Sequence, residues 1–364
     1  MIEGPQPIGG DFETVTPDLL TPHGGPPPWE ARHRGRVSYT QSGRQALAVL
    51  EAALRRTGRR RLILPAFFCD SMVMPFVRRG WEVLPVAVGP NLFPLPSAVT
   101  HALTDARGTL ILHAPYFGQD TPAALADELA AAREAGAHLA VDETHRVLGS
   151  VGVVADSSIA SLRKTLPITD GAYVHGLDAQ IRSNTRLASP VSGIRAEAME
   201  AKRRHLAGEQ GPEMHLDLFR RAGDLAAGSL DAMPMSEASE ALLRRLDYDE
   251  IGRRRRSNAV RLAGHLRALD VELLADPRAS VAPPSHLVVV VDEPRALQGS
   301  LAEHGVFCPV HWNPPTLIQM DRWPERLLSI PIDQRYDHTD MDRIAAVVKG
   351  LPASLYRRKN VEAI

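Results

Sequence analysis

The sequence contains little cysteine, and it has almost no excess of charge of either sign. The chain has only two cysteines, Cys69 and Cys308, and both lie among apolar residues. Two such cysteines form no disulfide framework and are typical of a protein of the reducing cytoplasm. The 42 lysines and arginines nearly balance the 43 aspartates and glutamates, leaving a net charge of −1. This balance argues against binding to nucleic acids or to anionic membranes.

Long hydrophobic runs are absent too. No apolar stretch is long enough to cross a membrane, and the first residues lack the basic-then-apolar pattern of a signal peptide. We therefore expect a cytoplasmic protein without a membrane partner. The dense basic run at residues 253–256 lies in a helical pattern next to acidic residues, which predicts a solvated helix face.

The length of 364 residues fits two domains of ordinary size, and a hydrophobic fraction of 44% permits a sizeable core. Residues 1–36 are rich in glycine and proline and predict an extended arm. From residue 37, short apolar runs alternate with amphipathic stretches, which predicts an α/β fold whose mostly parallel sheet is flanked by helices. We expect this large domain to span 37–235. A linking helix and a smaller C-terminal α/β domain should occupy 236–364.

The coarse pattern also gives element positions. Candidate strands are 61–64, 82–88, 109–113, 138–142, 158–162, 172–175, 287–292, 306–311 and 327–332. Candidate helices are 42–56, 70–79, 122–135, 196–205, 214–225, 236–269 with a possible break near Asp247, 294–304 and 340–349. Thr121 is expected to cap the helix that starts at Pro122, and Thr339 with Asp342 predicts a capping box on the last helix.

Several kinds of site are not supported by the sequence. His138 and His145 lack the spacing of paired metal ligands on one helix face, and Cys69 has no neighbouring cysteine or histidine. Neither a Gly-x-Ser-x-Gly nucleophile turn nor a Gly-x-x-x-x-Gly-Lys phosphate loop occurs. We therefore expect no metal centre.

Lys164 and Asp142 carry the most chemical information. Asp142 ends an apolar strand, and Lys164 lies in the turn after the next strand. In open α/β sheets, ligands gather outside the carboxyl ends of the strands. A lysine that forms a Schiff base with a carbonyl cofactor needs an anionic partner for the ring nitrogen of that cofactor. The pair therefore favours pyridoxal 5′-phosphate, with a helix-capping aspartate and a surface lysine as the structural alternatives.

A phosphate-binding turn is expected at the start of the first long helix. Ser42 caps this helix, and the amides of Gly43 and Arg44 lie at its positive end. Ser161, three residues before Lys164, is a further candidate for a phosphate contact. Each serine has an alternative role as an ordinary cap or turn residue.

Other candidates surround this pair. His145 is expected to contact the ring hydroxyl or a face of the cofactor, and Phe68 to stack on the ring, although core packing explains Phe68 as well. On the substrate side we expect Tyr116, His311 and Trp312, together with Asn313 and residues 182–186, each of which has a structural role as its alternative.

Ordered motifs between residues 39 and 336 resemble the DegT/DnrJ/EryC1/StrS family of sugar aminotransferases, which are fold-type I pyridoxal-phosphate enzymes. Residues 42–47 (Ser-Gly-Arg-Gln-Ala-Leu) are similar to the Ser-Gly-Thr-x-Ala-Leu phosphate turn of the family, and residues 113–118 to its His-x-Tyr-Gly loop. Asp142 and His145 match its Asp-Ala-Ala-Gln/His motif. Lys164, seven residues before Gly171, matches the spacing of its Schiff-base lysine. The resemblance implies an aminotransferase and a homodimer with the active site at the interface.

The chain departs from the family at several positions. Arg44 replaces the threonine of the phosphate turn, and Cys69 stands where an aromatic residue stacks on the ring, so Phe68 is expected to substitute. Ile159 replaces a serine, for which Ser158 or Ser161 can stand in. The Gly-Tyr-Asn-x-Arg segment has no counterpart.

We therefore expect transamination between a small-molecule amino donor and a keto acceptor, either a sugar or a small metabolite. Two alternatives remain open. One is another pyridoxal-phosphate reaction of an amino acid, such as decarboxylation, elimination, substitution or cyclisation. The other is a catalytically silent regulatory protein.

Overall fold

A computed structural model describes residues 6–34, 36–150, 152–177 and 190–357. Its largest feature is a seven-stranded sheet with the order β2-β8-β7-β6-β5-β3-β4. The strands of the protein, in chain order, are β1 (Ile8–Gly9), β2 (Val37–Thr40), β3 (Arg61–Pro65), β4 (Glu82–Val86), β5 (Thr109–His113), β6 (His138–Asp142), β7 (Ser157–Ser161), β8 (Ala172–His175), β9 (Glu272–Leu273), β10 (Leu287–Val290), β11 (Val306–Phe307) and β12 (Leu327–Ile330).

Five neighbouring strands of this sheet, from β4 across to β7, run parallel, and β8 is antiparallel to both of its neighbours. The predicted mostly parallel α/β sheet is therefore confirmed. Because β2 is antiparallel to β8, its carboxyl end reaches the same edge as those of the five parallel strands. The ends of β2, β6 and β7 thus place Ser42, Asp142 and Ser161 along one edge of the sheet.

Helices cover the faces of the sheets and connect them. They are α1 (Pro28–Arg32), α2 (Gly43–Arg56), α3 (Asp70–Val77), α4 (Ala98–Ala102), α5 (Ala123–Glu134), α6 (Pro190–Leu206), α7 (Glu213–Ala227), α8 (Glu237–Leu243), α9 (Tyr248–Arg267), α10 (Pro294–Glu303), α11 (His338–Gly350) and α12 (Ala353–Tyr356). The break expected near Asp247 is confirmed, because the carboxylate of Asp247 accepts the Glu250 amide and caps α9.

Two predicted helix starts were wrong. Pro122, rather than Thr121, is the residue that precedes the first turn of α5. The capping box of α11 is formed by Asp337 and Asp340, two residues before the predicted pair of Thr339 and Asp342. In this case an aspartate is available upstream and accepts the amides of Thr339 and Asp340, so the helix begins earlier.

A second, antiparallel sheet has the order β12-β10-β9 and packs against α9 and α11 over its own hydrophobic core. Ile8 and Gly9 join this region, because β1 pairs in parallel with β11. Trp29 of α1 is fully buried in a separate cluster against the large sheet. The predicted chain divisions at residues 36 and 235 stay predictions.

Candidate active site

Asp142 and Lys164 line the same narrow cavity at the carboxyl edge of the large sheet, together with Thr144 and His145. The cavity has a volume of about 20 Å³. A larger cavity of about 720 Å³ adjoins it and shares His145, Lys164 and Trp312 as lining residues. The spatial grouping predicted for Asp142, His145 and Lys164 is therefore observed.

The carboxylate of Asp142 is held in place by the loop that follows β6. Its Oδ1 atom accepts the amide N–H of Thr144 at 3.0 Å. Burial raises the pKa of Asp142 above its usual value, although the Thr144 hydrogen bonds and the nearby Lys164 charge offset part of this effect. Within the described residues Asp142 forms no ion pair. A cation that binds beside Asp142 would therefore lower the pKa of its carboxyl group.

Lys164 ends the 3-10 turn Leu162–Lys164, which directly follows β7. Its side chain is exposed to the two cavities rather than packed in the core. The turn is tied to α9 because Arg255 donates a hydrogen bond to the carbonyl of Thr165 at 3.0 Å. Lys164 is thus an accessible amine on a fixed backbone.

His145 is a neutral hydrogen-bond donor in this arrangement. Its Nδ1 atom accepts the amide N–H of Phe117 at 3.0 Å, so the neutral ring carries its proton on Nε2. Burial lowers the pKa of His145 well below its usual value, and the charge of Lys164 and the nearby His286 lower it further. The ring also stacks on Phe117, at 5.1 Å between centroids.

The predicted phosphate turn brings Gly43 against Ser161. A Cβ atom on residue 43 would lie 3.0 Å from the Cβ of Ser161 and 3.5 Å from its Oγ, so a side chain at position 43 would crowd this serine. Ser42 caps α2 as predicted, since its hydroxyl accepts the Gln45 amide at 3.3 Å. The guanidinium of Arg44 instead donates to the carbonyls of Ala226 and Ala227 at the end of α7. Only the main-chain N–H of Arg44 remains a candidate for a phosphate contact.

The structure corrects the prediction for Phe68. Its side chain is completely buried in the core and lines neither of the two cavities. Its ring packs edge-on against Trp323, at 6.2 Å between centroids. A ring enclosed in this way cannot stack on a ligand beside Asp142, so the core-packing alternative holds for Phe68. The neighbouring Phe67 is completely buried as well.

The substrate-side candidates divide into four groups. Tyr116 lines the narrow cavity, and its hydroxyl donates to the carbonyl of Phe67. His311 and Trp312 line the larger cavity, where Nδ1 of His311 lies 2.8 Å from the hydroxyl of Ser329. Asn313 lines neither cavity and accepts a hydrogen bond from Arg295. Residues 182–186 lie outside the described residues.

Arg255 was wrongly predicted to lie on a solvated face. It is 2% exposed and donates to Gln334 and to the carbonyls of Ser285 and Thr165. The helical spacing of the apolar residues could have predicted this burial, because Ile251, Arg255 and Leu262 lie on the same buried face of α9. Arg253 in the same run is exposed, as predicted.

Other residues of the larger cavity carried no signal in the sequence. His286, Asp333 and Arg335 reach it from distant loops, and residues 9–12 form part of its wall. Asp333 and Arg335 form an ion pair at 2.7 Å. In the described residues, no three or more histidine, cysteine or acidic side chains are grouped to hold a metal ion. None of the helices in that part of the chain is long and apolar enough to cross a membrane.

Comparison with known proteins identifies the fold. No protein-family model and no curated protein sequence matches the chain. Among solved structures, the aminotransferase TlmJ from Streptoalloteichus hindustanus is similar over 92% of both chains, with 19% identity and a TM-score of 0.59. The sugar aminotransferase CalS13 from Micromonospora echinospora is similar over 94% of this chain and 99% of its own, with 16% identity and a TM-score of 0.60.

A protein from Streptococcus pneumoniae, solved in a PMP form, is similar over 96% of this chain and 98% of its own, with 15% identity and a TM-score of 0.65. A PLP form of that protein is similar as well, with 15% identity and a TM-score of 0.61. The chain has the fold of these aminotransferases. At such identities the likeness establishes the fold, and the chemistry has to be argued from the site.

Proposed function

We propose that the protein is a pyridoxal-phosphate-dependent aminotransferase that acts on a sugar-type or other small keto substrate. One observation carries the proposal: Asp142 and Lys164 line a single cavity at the ends of adjacent parallel strands. The fold similarity to aminotransferases supports the same assignment. A homodimer and an amino donor are part of the proposal.

The residues present fit the cofactor in their chemistry. An accessible amine and a carboxylate without an ionic partner among the described residues lie together, as the carbonyl carbon and the ring nitrogen require. Gly43 and Ser161 meet at the start of α2, where the helix dipole favours a phosphate. The narrow cavity is too small for a pyridine ring, so Trp312, which it shares with the larger cavity, has to shift outward.

Each residue has a specific role in this proposal. When bound, the cofactor withdraws electrons from the α-carbon of the amino substrate. Lys164 would hold the cofactor through Nζ until the amino group of the substrate displaces it, and the freed amine would then accept the proton that leaves the α-carbon. The carboxylate of Asp142 would keep the ring nitrogen protonated. The pKa of Asp142 would fall when the cofactor binds, because the ring is cationic. The imidazole of His145 would lie against one face of the ring, and the turn at Ser42, Gly43 and Ser161 would bind the phosphate.

The test uses the absorption spectrum of the purified protein. After incubation with pyridoxal phosphate, we expect a visible band that Lys164→Ala lacks and that the exposed-lysine control Lys349→Ala retains. Borohydride reduction and peptide mapping should then place the cofactor on Lys164. A colourless protein that cannot be reconstituted would overturn the proposal.

Amino donors are then added to the coloured protein. Loss of the visible band, with recovery of an amine form of the cofactor, is expected for a transaminase. Release of carbon dioxide or ammonia without that conversion would assign a different reaction to the same residues.

A further inference from the structure

The narrow cavity beside Asp142 is bounded by two nearly parallel rings. The imidazole of His145 and the indole of Trp312 have centroids 6.1 Å apart and planes inclined by 19°. Tyr116 lies across the end of this slot, with its ring inclined by 67° to His145 and by 70° to Trp312. Asp142 and Lys164 line the same space. The slot therefore has two flat walls and carries the candidate catalytic groups at its margin.

The spacing of the walls is too small for an aromatic ring. A ring in contact with both walls needs about 3.5 Å on each side, or about 7 Å in all. The centroid separation of 6.1 Å is an upper bound on the spacing between the two ring planes, so the walls have to move apart by roughly 1 Å or more to admit a ring. Either wall could move, but His145 is fixed by its hydrogen bond from Phe117 and its stacking on that ring.

Trp312 is the wall that can move. It is only partly buried, and within the described residues no hydrogen bond from its indole N–H is found. It lies on the loop that joins β11 to β12, and its carbonyl accepts the indole N–H of Trp323 at 3.0 Å. Farther along, Asp70 accepts the amides of Thr316 and Leu317 at 2.9 and 3.0 Å. The loop is held behind Trp312, while the indole itself faces both cavities.

The sequence predicts an aromatic residue near position 68 that stacks on the cofactor ring, but the residues at that position cannot do so. Phe67 and Phe68 are completely buried, and Cys69 carries no ring. Trp312 lies beside Phe67, at 5.0 Å between ring centroids, and is the indole that extends this aromatic cluster into the cavity. It comes from a loop more than two hundred residues later in the chain.

We propose that Trp312 stacks on the cofactor ring and closes it against His145, in place of the aromatic residue expected near position 68. The inference rests on the proposed function, since it requires the cofactor to bind beside Asp142. Trp312 is a positioning residue for the cofactor face, and the Trp312–Trp323 loop is the element that brings it there. Stacking on one large ring contributes roughly ten-fold to cofactor affinity.

The test measures cofactor binding by the complete protein. Trp312→Ala should weaken the affinity for pyridoxal phosphate about ten-fold and diminish the visible circular dichroism of the bound cofactor. The absorption band should persist, because Lys164 is intact. Leu317→Ala is the matched control, since Leu317 is exposed on the same loop and lines neither cavity. It should bind the cofactor as the wild type does.

A conservative variant covers the case in which Trp312→Ala does not fold. In the wild type, cofactor binding should quench tryptophan emission by energy transfer. Trp312→Phe should keep the affinity within about three-fold, because a phenyl ring still stacks. It should also reduce that transfer, part of which persists from the neighbouring Trp323. Unchanged dichroism and affinity in Trp312→Ala, or undiminished transfer in Trp312→Phe, would overturn the inference. A wild-type protein that never acquires the band would instead overturn the proposed function.

Discussion

Arg255 donates a hydrogen bond from its guanidinium to the carbonyl of Thr165, the residue that follows Lys164, at 3.0 Å. The same guanidinium donates to the carbonyl of Ser285, next to His286. One buried side chain of α9 therefore fixes two loops that line the larger cavity. Burial lowers the pKa of Arg255 to about 10, so it remains charged at neutral pH.

Arg255→Met should destabilise the fold strongly. The substitution leaves Gln334 and the carbonyls of Thr165 and Ser285 without their donor, at a cost of about 1–3 kcal/mol for each buried group. We expect the free energy of unfolding to fall by about 3 kcal/mol or more in urea titrations. Arg253→Met, two residues earlier on the exposed face, should change it by less than about 0.5 kcal/mol. Equal effects of the two substitutions would contradict the assignment.

Gly43→Ala should impair cofactor binding more than stability. The added methyl group would lie 3.0 Å from the Cβ of Ser161 and push this serine away from the start of α2. We expect the affinity for pyridoxal phosphate to fall by at least about ten-fold, as measured by titration of the visible band. Gly264→Ala is the control, because no atom beyond the local backbone of α9 lies within 4 Å of the added methyl group. That change should stabilise α9 by about 0.5–1 kcal/mol and leave binding unaltered.

Asp142→Asn tests the electrostatic role of the carboxylate. The amide preserves the shape and can still accept the Thr144 N–H, but it cannot hold a cationic ring nitrogen. Turnover should decrease by on the order of 100-fold or more, with the protein still folded. Asp342→Asn, in an ion pair with Arg261 on the surface of α11, should retain the wild-type rate. Full activity in Asp142→Asn would argue against its assigned role.

Stability should decline on the acid side because buried histidines resist protonation. Burial lowers the pKa of His113 to about 4 from an ordinary value of 6.5. Between these values the unfolded chain binds a proton that the folded protein does not, so stability falls as the pH falls from 6.5 to 4. The loss attributable to His113 is on the order of 3 kcal/mol. His286, whose pKa burial also lowers to about 4, acts in the same direction.

Melting temperatures measured across this pH range check the effect. His113→Gln should flatten the acid-side decline, whereas the exposed control His101→Gln should reproduce the wild-type slope. A decline that is identical in all three proteins would assign the acid sensitivity to other groups.

The sequence predicts those parts of the site that depend on strand ends. Asp142 and Lys164 follow neighbouring strands in the chain, and parallel pairing of β6 with β7 brings their ends together. A local pattern suffices for such pairs, because side-chain periodicity reveals the strands and their order sets the edge. The Ser42 cap is equally local, since it depends on an amide three residues away.

The failures have non-local causes. Phe68 is enclosed by Trp323, whose position depends on the packing of a distant loop. Arg255 stands in a run of four arginines that resembles an exposed face, and its acceptors come from three separate segments. Both residues were assigned from their neighbours in sequence, whereas their environments are set by tertiary contacts.

Residues 9–12 form part of the wall of the larger cavity, and their contacts affect the order in which the protein folds. Gly9 donates its amide N–H to the hydroxyl of Tyr336 at 2.6 Å, across a sequence separation of 327 residues. Arg335 donates to the carbonyls of Gly10 and Asp11 nearby. Closing so long a loop costs chain entropy before any contact compensates for it, and such contacts slow folding. A refolding chain should therefore regain its helical signal before it regains a complete cavity, so the capacity to bind ligands is the last property to return.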